Sequence, residues 1–273
     1  MKRNIAITLL LLNSLSLLAA DTFTINGQEI TVPVPRGFAR VTEDMAALKP
    51  LNAQTANADP YNDTLAYYIK ESKVPTAMLG GMPDLEKYFV LKVHKEMRNM
   101  TIGKDVFSQF KSVVKSQNQQ ILQDIKAQIP EIMNNFSQGV SQDYNIDFAM
   151  NISQMVPLET HYEAENAVAF SMYSNLGIST GDEKIEEIIS ATSTLLNTSG
   201  TVLFLYAYGP KGELEWTRSA SMDWAESVMA SNSKPPSKSP GRGIDWSKAP
   251  GGVIVGGLFA LIASAVAVFR RKS

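Results

Sequence analysis

Apolar and polar positions first alternate with a period of two. Phe23 and Ile25 interleave with Thr22 and Thr24, Asn26-Gly27 follows, and Ile30 and Val32 interleave on the return. Such alternation lines one face of a strand, and Asn-Gly tolerates the positive φ angles of a two-residue turn, so a hairpin is predicted. Pro33 and Pro35 end its second strand. Thr42 stands where a helix cap belongs, with Glu43 and Asp44 favourable to the dipole behind it, predicting a short helix through Leu48 and then a loop closed by Pro60. Two strands are predicted at Thr64–Glu71 and Tyr88–His94, both rich in Tyr, Phe, Val and Ile, with Gly80-Gly81 and Pro83 between them.

From Lys104 the period lengthens. Val106, Phe110, Val113, Ile121 and Ile125 fall at helical spacing, and Ile129, Met133, Phe136 and Val140 continue it. Pro130 removes a helix hydrogen bond and crowds the preceding turn, so a break is predicted there. Met155–Thr160 reads as a strand that Pro157 confines to a sheet edge, and Tyr162–Tyr173 as the next strand. Residues 182–196 carry Ile185, Ile188, Ile189, Leu195 and Leu196 at helical spacing. Thr201–Tyr208 is almost wholly apolar, as a central strand covered on both faces should be. A last helix carries Trp216, Ala220, Trp224 and Val228 on one side.

Strands and long helices segregate along the chain, which predicts an α+β fold: a mostly antiparallel sheet packed by helices. The element order resembles the PsbP-like α/β/α sandwich, as does the Val-Pro-x-Pro-x-Gly-Phe stretch from Val32 to Phe38 ahead of the first helix. The resemblance spans roughly residues 22–230. It implies a layout shared by photosystem accessory, small-GTPase-binding and bacterial envelope proteins, mostly without catalytic activity.

The two ends of the chain add a topology. Lys2 and Arg3, the apolar runs Ile5–Leu12 and Leu15–Leu18, and Ala19-Ala20 follow the order of a secretory signal peptide, residues 1–20. Residues 21–230 are then the exported domain and 231–250 an unstructured Ser/Pro/Gly linker. Gly251–Phe269 is an uncharged span of about 28 Å as a helix, matching a bilayer's hydrocarbon core, so a single C-terminal transmembrane helix is expected. Arg270, Arg271 and Lys272 form a basic tail, 270–273, which the positive-inside rule holds in the cytoplasm with the domain in the periplasm. Gly252, Gly256, Ala260 and Ser264 recur every four residues. That is a small-residue ladder of the kind through which membrane helices dimerise. Gly251-Gly252, the apolar span and the basic cluster are also similar to the GlyGly-CTERM sorting signal of Gram-negative bacteria. That resemblance implies proteolytic processing and a mature end near Gly252.

Charge and chemistry narrow the function class. Between Asp21 and Asn232 there are 16 basic and 26 acidic residues, a net of −10, which disfavours nucleic acid as a partner. The chain has no cysteine, so neither disulfides nor thiol chemistry enter. Five Asn-x-Ser/Thr sequons begin at Asn62, Asn99, Asn135, Asn151 and Asn197; in a cysteine-free bacterial envelope protein they carry no meaning.

Candidate chemistry is sparse. His161, Glu163 and Glu165 alternate on a strand and could share an ion, although such a stripe is more simply a solvated face, and one histidine suits zinc poorly. His94 shares a face with Lys92 and reads as partly exposed structure. Ser112-Val-Val-Lys115 matches the Ser-x-x-Lys of penicillin-recognising enzymes, but its companion Ser-Asp-Asn and Lys-Thr-Gly motifs are absent. Trp216 and Trp224 could form a ligand platform or simply core. No catalytic, cofactor or metal residue is assigned.

The expectation is therefore a single-pass protein of the bacterial inner membrane, or of the cell surface if the C-terminal segment is processed, whose exported domain binds a protein partner in an accessory or assembly role, without catalysis or cofactor. A homodimer through the membrane helix is a further expected contact. The alternatives are an envelope hydrolase, or a small-ligand or lipid carrier with a deep apolar cavity between sheet and helices.

Overall fold

The computed structural model describes residues 19–232; all but the last two residues of the expected signal peptide, all but the first two of the expected linker, the expected membrane span with its ladder Gly252, Gly256, Ala260 and Ser264, and the tail Arg270–Lys272 lie outside the described residues. Among the described residues no helix is long and apolar enough to cross a membrane.

The hairpin forms as its sequence dictates. Strands β1 (Ala20–Ile25) and β2 (Gln28–Pro33) pair antiparallel around Asn26 and Gly27, whose φ angles of 50° and 72° are those of the expected turn. Seven further strands form one sheet: β3 (Phe38–Arg40), β4 (Asn62–Lys70), β5 (Tyr88–His94), β6 (Phe148–Ala164), β7 (Ala167–Thr180), β8 (Glu183–Thr198) and β9 (Thr201–Pro210). Their spatial order is β3-β4-β5-β9-β8-β7-β6, every neighbouring pair antiparallel. The chain leaves the sheet after β5, crosses by two helices to the far edge, and returns as a four-stranded meander that ends beside β5.

Helices cover both faces. On one side lie α1 (Lys49–Ala58), α3 (Lys104–Lys126) and α4 (Ile129–Tyr144), and the short α2 (Val74–Met78) follows β4. On the other lie α5 (Leu214–Ser231) and the β1–β2 hairpin. Strand alternation sorts the core into two layers. Even-numbered Tyr88 and Val90 of β5 join Phe107, Phe110, Phe136 and Val140, while odd-numbered Phe89, Leu91 and Val93 join Ile30, Val32, Trp224 and Val228. The fold is α+β with a large antiparallel sheet packed by helices on both faces.

Three expected elements are corrected. Residues 183–196 belong to strand β8, with Asp182 in the turn before it, and not to a helix. Ile185, Ile189 and Leu195 all point to the α3/α4 side. The positions that face α5 are Thr192 and Thr194, whose hydroxyls pair with those of Thr217 and Ser221 at 2.9 and 2.7 Å. Small polar residues inside the core hide the period of two. The first helix begins after Leu48, where Pro50 in its first turn suits the unpaired N–H groups, and occupies the stretch read as a loop. The strand read as Tyr162–Tyr173 is two strands, split by a turn at Glu165-Asn166. The break before Pro130 and the edge position of Pro157 are as expected.

Candidate functional site

A half-open groove of about 680 Å³ runs along α5. The segment from Pro33 to Phe38 runs beside α5 in the opposite direction. Thr31 exchanges two hydrogen bonds with the side chain of Asn232 just past the helix end: its N–H donates to Oδ1 at 2.9 Å, and its carbonyl accepts from Nδ2 at 2.7 Å. Further along, Trp224 Nε1 donates to the carbonyl of Pro33 at 2.8 Å. Pro35, which has no N–H to donate, follows the end of β2, and the chain from Pro33 to Phe38 lines a trough beside the helix.

Aromatic rings make the floor. Phe38 meets Phe89 edge-on at 4.8 Å between ring centres and lies nearly parallel to Trp216 at 6.1 Å. Trp216 is half-buried, with Lys87 Nζ 4.7 Å from its ring centre and tied to Glu213 at 2.8 Å. Helical periodicity places Trp216, Ala220, Asp223, Ser227 and Ala230 along one wall, with Glu226 beside them, and Arg36 stands on the other. The two tryptophans thus divide their work: Trp224 is core and Trp216 lines the surface trough. In the sequence these two walls are about 180 residues apart, which is why the trough could not be read there.

The residues singled out by sequence do not gather here. His161 and Glu163 are not on one face. The β6–β7 pairing runs from Thr160–Phe170 to Tyr162–Ala169, so His161 is the extra residue of a bulge. The bulge turns its ring toward Arg218 and Glu215 of α5; Glu163 instead accepts from Lys115 of α3 at 2.6 Å, and Glu165, in the turn, from Lys104 at 2.7 Å. Burial, and secondarily Arg218, lowers the His161 pKa to about 4, so its ring is neutral, and neither ring nitrogen has a hydrogen-bond partner. Among the described residues no group of three or more His, Asp or Glu could hold a metal ion. Ser112 donates to the Ser108 carbonyl at 3.1 Å while Lys115 holds Glu163, so the two do not pair.

Lys92 and His94 are not partly exposed but buried. Lys92 Nζ donates to Asp59 Oδ2 at 2.7 Å, and Asp59 also accepts from the N–H groups of Tyr61 and Asn62 and from Asn62 Nδ2. Burial pulls the pKa values of Lys92 and His94 down, and raises those of Tyr206 and Tyr208 on the neighbouring strand. Burial so complete makes this cluster a structural clasp between the end of α1 and β5 rather than a site reached by substrate. A lone Asp before Pro60 gave no signal of it.

Two other voids bear on function. One beneath Leu48, Tyr67 and Tyr88 is about 10 Å³, room for a single water at most. A polar trough of about 380 Å³ lies between α1 and α4, lined by Gln54, Asn57, Gln128, Glu131 and Asn135.

No family model and no curated protein matches the chain. Among solved structures, it is similar to the PsbP of Synechocystis sp. PCC 6803 (CyanoP), at 11% identity over 80% of this chain and 94% of that one, with a TM-score of 0.27. It is also similar to the Ran-binding protein Mog1p of Saccharomyces cerevisiae, at 10% identity over 79% and 93%, with a TM-score of 0.29. Likenesses of this size say nothing of activity or partner.

Proposed function

We propose that this is a bacterial envelope protein, exported behind residues 1–20 and held at the inner membrane by 251–269, whose folded domain binds a protein partner through the groove along α5. The groove is the observation that carries the reading. It combines an aromatic floor, open access and charged rims, which is how surfaces that recognise extended chains are built. Catalysis by a Ser-His-acid set would need those groups in one cleft; the groove holds Ser219, Ser227, Asp223 and Glu226 and neither histidine. The void beneath Leu48, Tyr67 and Tyr88 has room for one water, far less than a lipid needs. Two sequon residues, Asn62 and Asn197, are buried, which fits a protein that never meets a glycosylation machinery.

The test is photo-crosslinking in cells carrying the full chain, with a benzoylphenyl side chain at Ser219, at Ser227 and at Asp182 on the β7–β8 turn. The reading expects one envelope protein, identified by mass, in the adducts from Ser219 and Ser227 and not from Asp182. Adducts equal at all three positions, or none from the groove, would sink it.

A further inference from the structure

We infer that the groove takes an extended segment bearing prolines and basic residues, and that its resident occupant is this chain's own residues 234–242, Lys-Pro-Pro-Ser-Lys-Ser-Pro-Gly-Arg. The inference deepens the partner-binding reading and rests on it.

Chemistry matches on three counts. Flat aromatic surface beside a helix suits proline rings, which bury apolar area while the polyproline conformation costs little entropy to hold. The α5 wall carries Asp223 and Glu226, both exposed, while the segment carries Lys234, Lys238 and Arg242 and no acid. Arg36 is the single cation on the groove lining, on the wall opposite those carboxylates. The folded domain as a whole is acidic, so the basic segment is drawn to it from a distance as well.

Geometry supplies the tether. Asn232 is pinned to Thr31 at the Ala230 end of the groove, so the chain beyond it starts from that end. From Ala230 to Trp216 is 14 residues of helix, about 21 Å. After two residues to reverse direction, Pro235–Arg242 spans about 25 Å at 3.1 Å per residue, enough to bring Gly241 and Arg242 level with Trp216 and to leave the prolines along the stretch between Ala230 and Ala220. A tether this short keeps the segment at an effective concentration on the order of millimolar, so a modest contact suffices for occupancy. A partner must then displace this strap or carry the same chemistry in a tighter form.

The experiment uses the full chain purified in detergent, with the photo-crosslinking side chain at Ser219 or Ser227 and peptide mapping of the products. The strap predicts intrachain links from both positions into 234–242, insensitive to protein dilution. Lys238→Glu should lower the yield at least threefold, and Asp223→Lys in the same chain should restore it. Links that run only between two copies, or a yield unmoved by Lys238→Glu, would overturn the strap. In cells, replacing 234–242 with Gly and Ser should raise the intermolecular adduct at Ser219. An intermolecular adduct unchanged by that replacement would refute the strap and leave the partner reading standing, whereas no adduct with or without the segment would refute the partner reading.

Discussion

Lys92 Nζ and Asp59 Oδ2 lie 2.7 Å apart with neither side chain exposed at all. The pair joins the residue that ends α1 to the middle of the sheet, and Lys95 Nζ adds a bond to the Asp59 carbonyl at 2.7 Å. Removing one member strands the other charge in the core, which costs about 3–5 kcal/mol. Asp59→Ala and Lys92→Met should each lower the urea midpoint by that equivalent. The double variant Asp59→Ala with Lys92→Met should cost clearly less than the sum of the two single changes. Additive losses in denaturant titrations would show that the two side chains are not energetically coupled.

His161 should make the domain sensitive to mild acid. Its folded pKa is lowered to about 4 from an ordinary 6.5, so the unfolded chain binds the extra proton between those values. Stability is therefore intact above pH 6.5 and is lost as pH falls toward 4. Because the ring is half-exposed, solvent screening leaves about 1–2 kcal/mol of the effect. His161→Phe should be more stable than the parent at pH 4.5 by that amount, after allowing for any constant difference at pH 8. Parallel stability curves for the two proteins from pH 8 to 4.5 would exclude His161 as the cause.

A chain of hydroxyls fixes α5 to the sheet. Ser171 and Thr192 share a hydrogen bond at 2.8 Å, Thr192 donates to Thr217 at 2.9 Å, and Thr217 donates to the Leu214 carbonyl at 2.8 Å. All three side chains are buried. Thr192→Val keeps the volume and removes the link, and should cost about 1–2 kcal/mol. Ser221→Leu, which must push α5 off β8, should cost more, about 2–4 kcal/mol, and should also lower crosslinking from the groove that α5 lines. A Ser221→Leu protein as stable as the parent would mean that the close approach of α5 and β8 is not constrained there.

Topology is open to a direct test. Alkaline phosphatase joined after Asn232 should be active and joined after Ser273 inactive, because the enzyme works only outside the cytoplasm and the basic tail is expected to stay within. Activity from the second fusion alone would reverse the orientation.

Strands were readable where burial is plain and unreadable where it is polar. Tyr88–His94 and the strand from Thr201 show themselves because every position is apolar or aromatic, or lies within such a run. The β8 strand does not, because Thr192 and Thr194 occupy core positions that a hydrophobic pattern records as gaps. Likewise α1 has little amphipathic pattern and is held by Leu51, by the Thr55 hydroxyl on its own Leu51 carbonyl, and by Tyr144 of α4, contacts that only the folded chain brings together. The His161–Glu163 stripe failed for a different reason. One residue inserted by a bulge reverses the faces beyond it, and bulges leave no mark in the order of residue types. The groove is a relation between two segments at opposite ends of the domain and has no local signature at all.

The clamp between Asn232 and Thr31 also determines how the domain bears load. Tension arriving along the chain from Ser233 onward meets Asn232 first. There the two bonds to Thr31 and one from Asn232 Nδ2 to the Val228 carbonyl at 2.7 Å divide the force between the hairpin and α5. To peel the helix, a pull must break these together, and Trp224 on the Pro33 carbonyl stands one layer behind them. A domain stitched this way yields as a block, so a pull on the chain beyond Asn232 leaves the aromatic trough in shape until these bonds give way together.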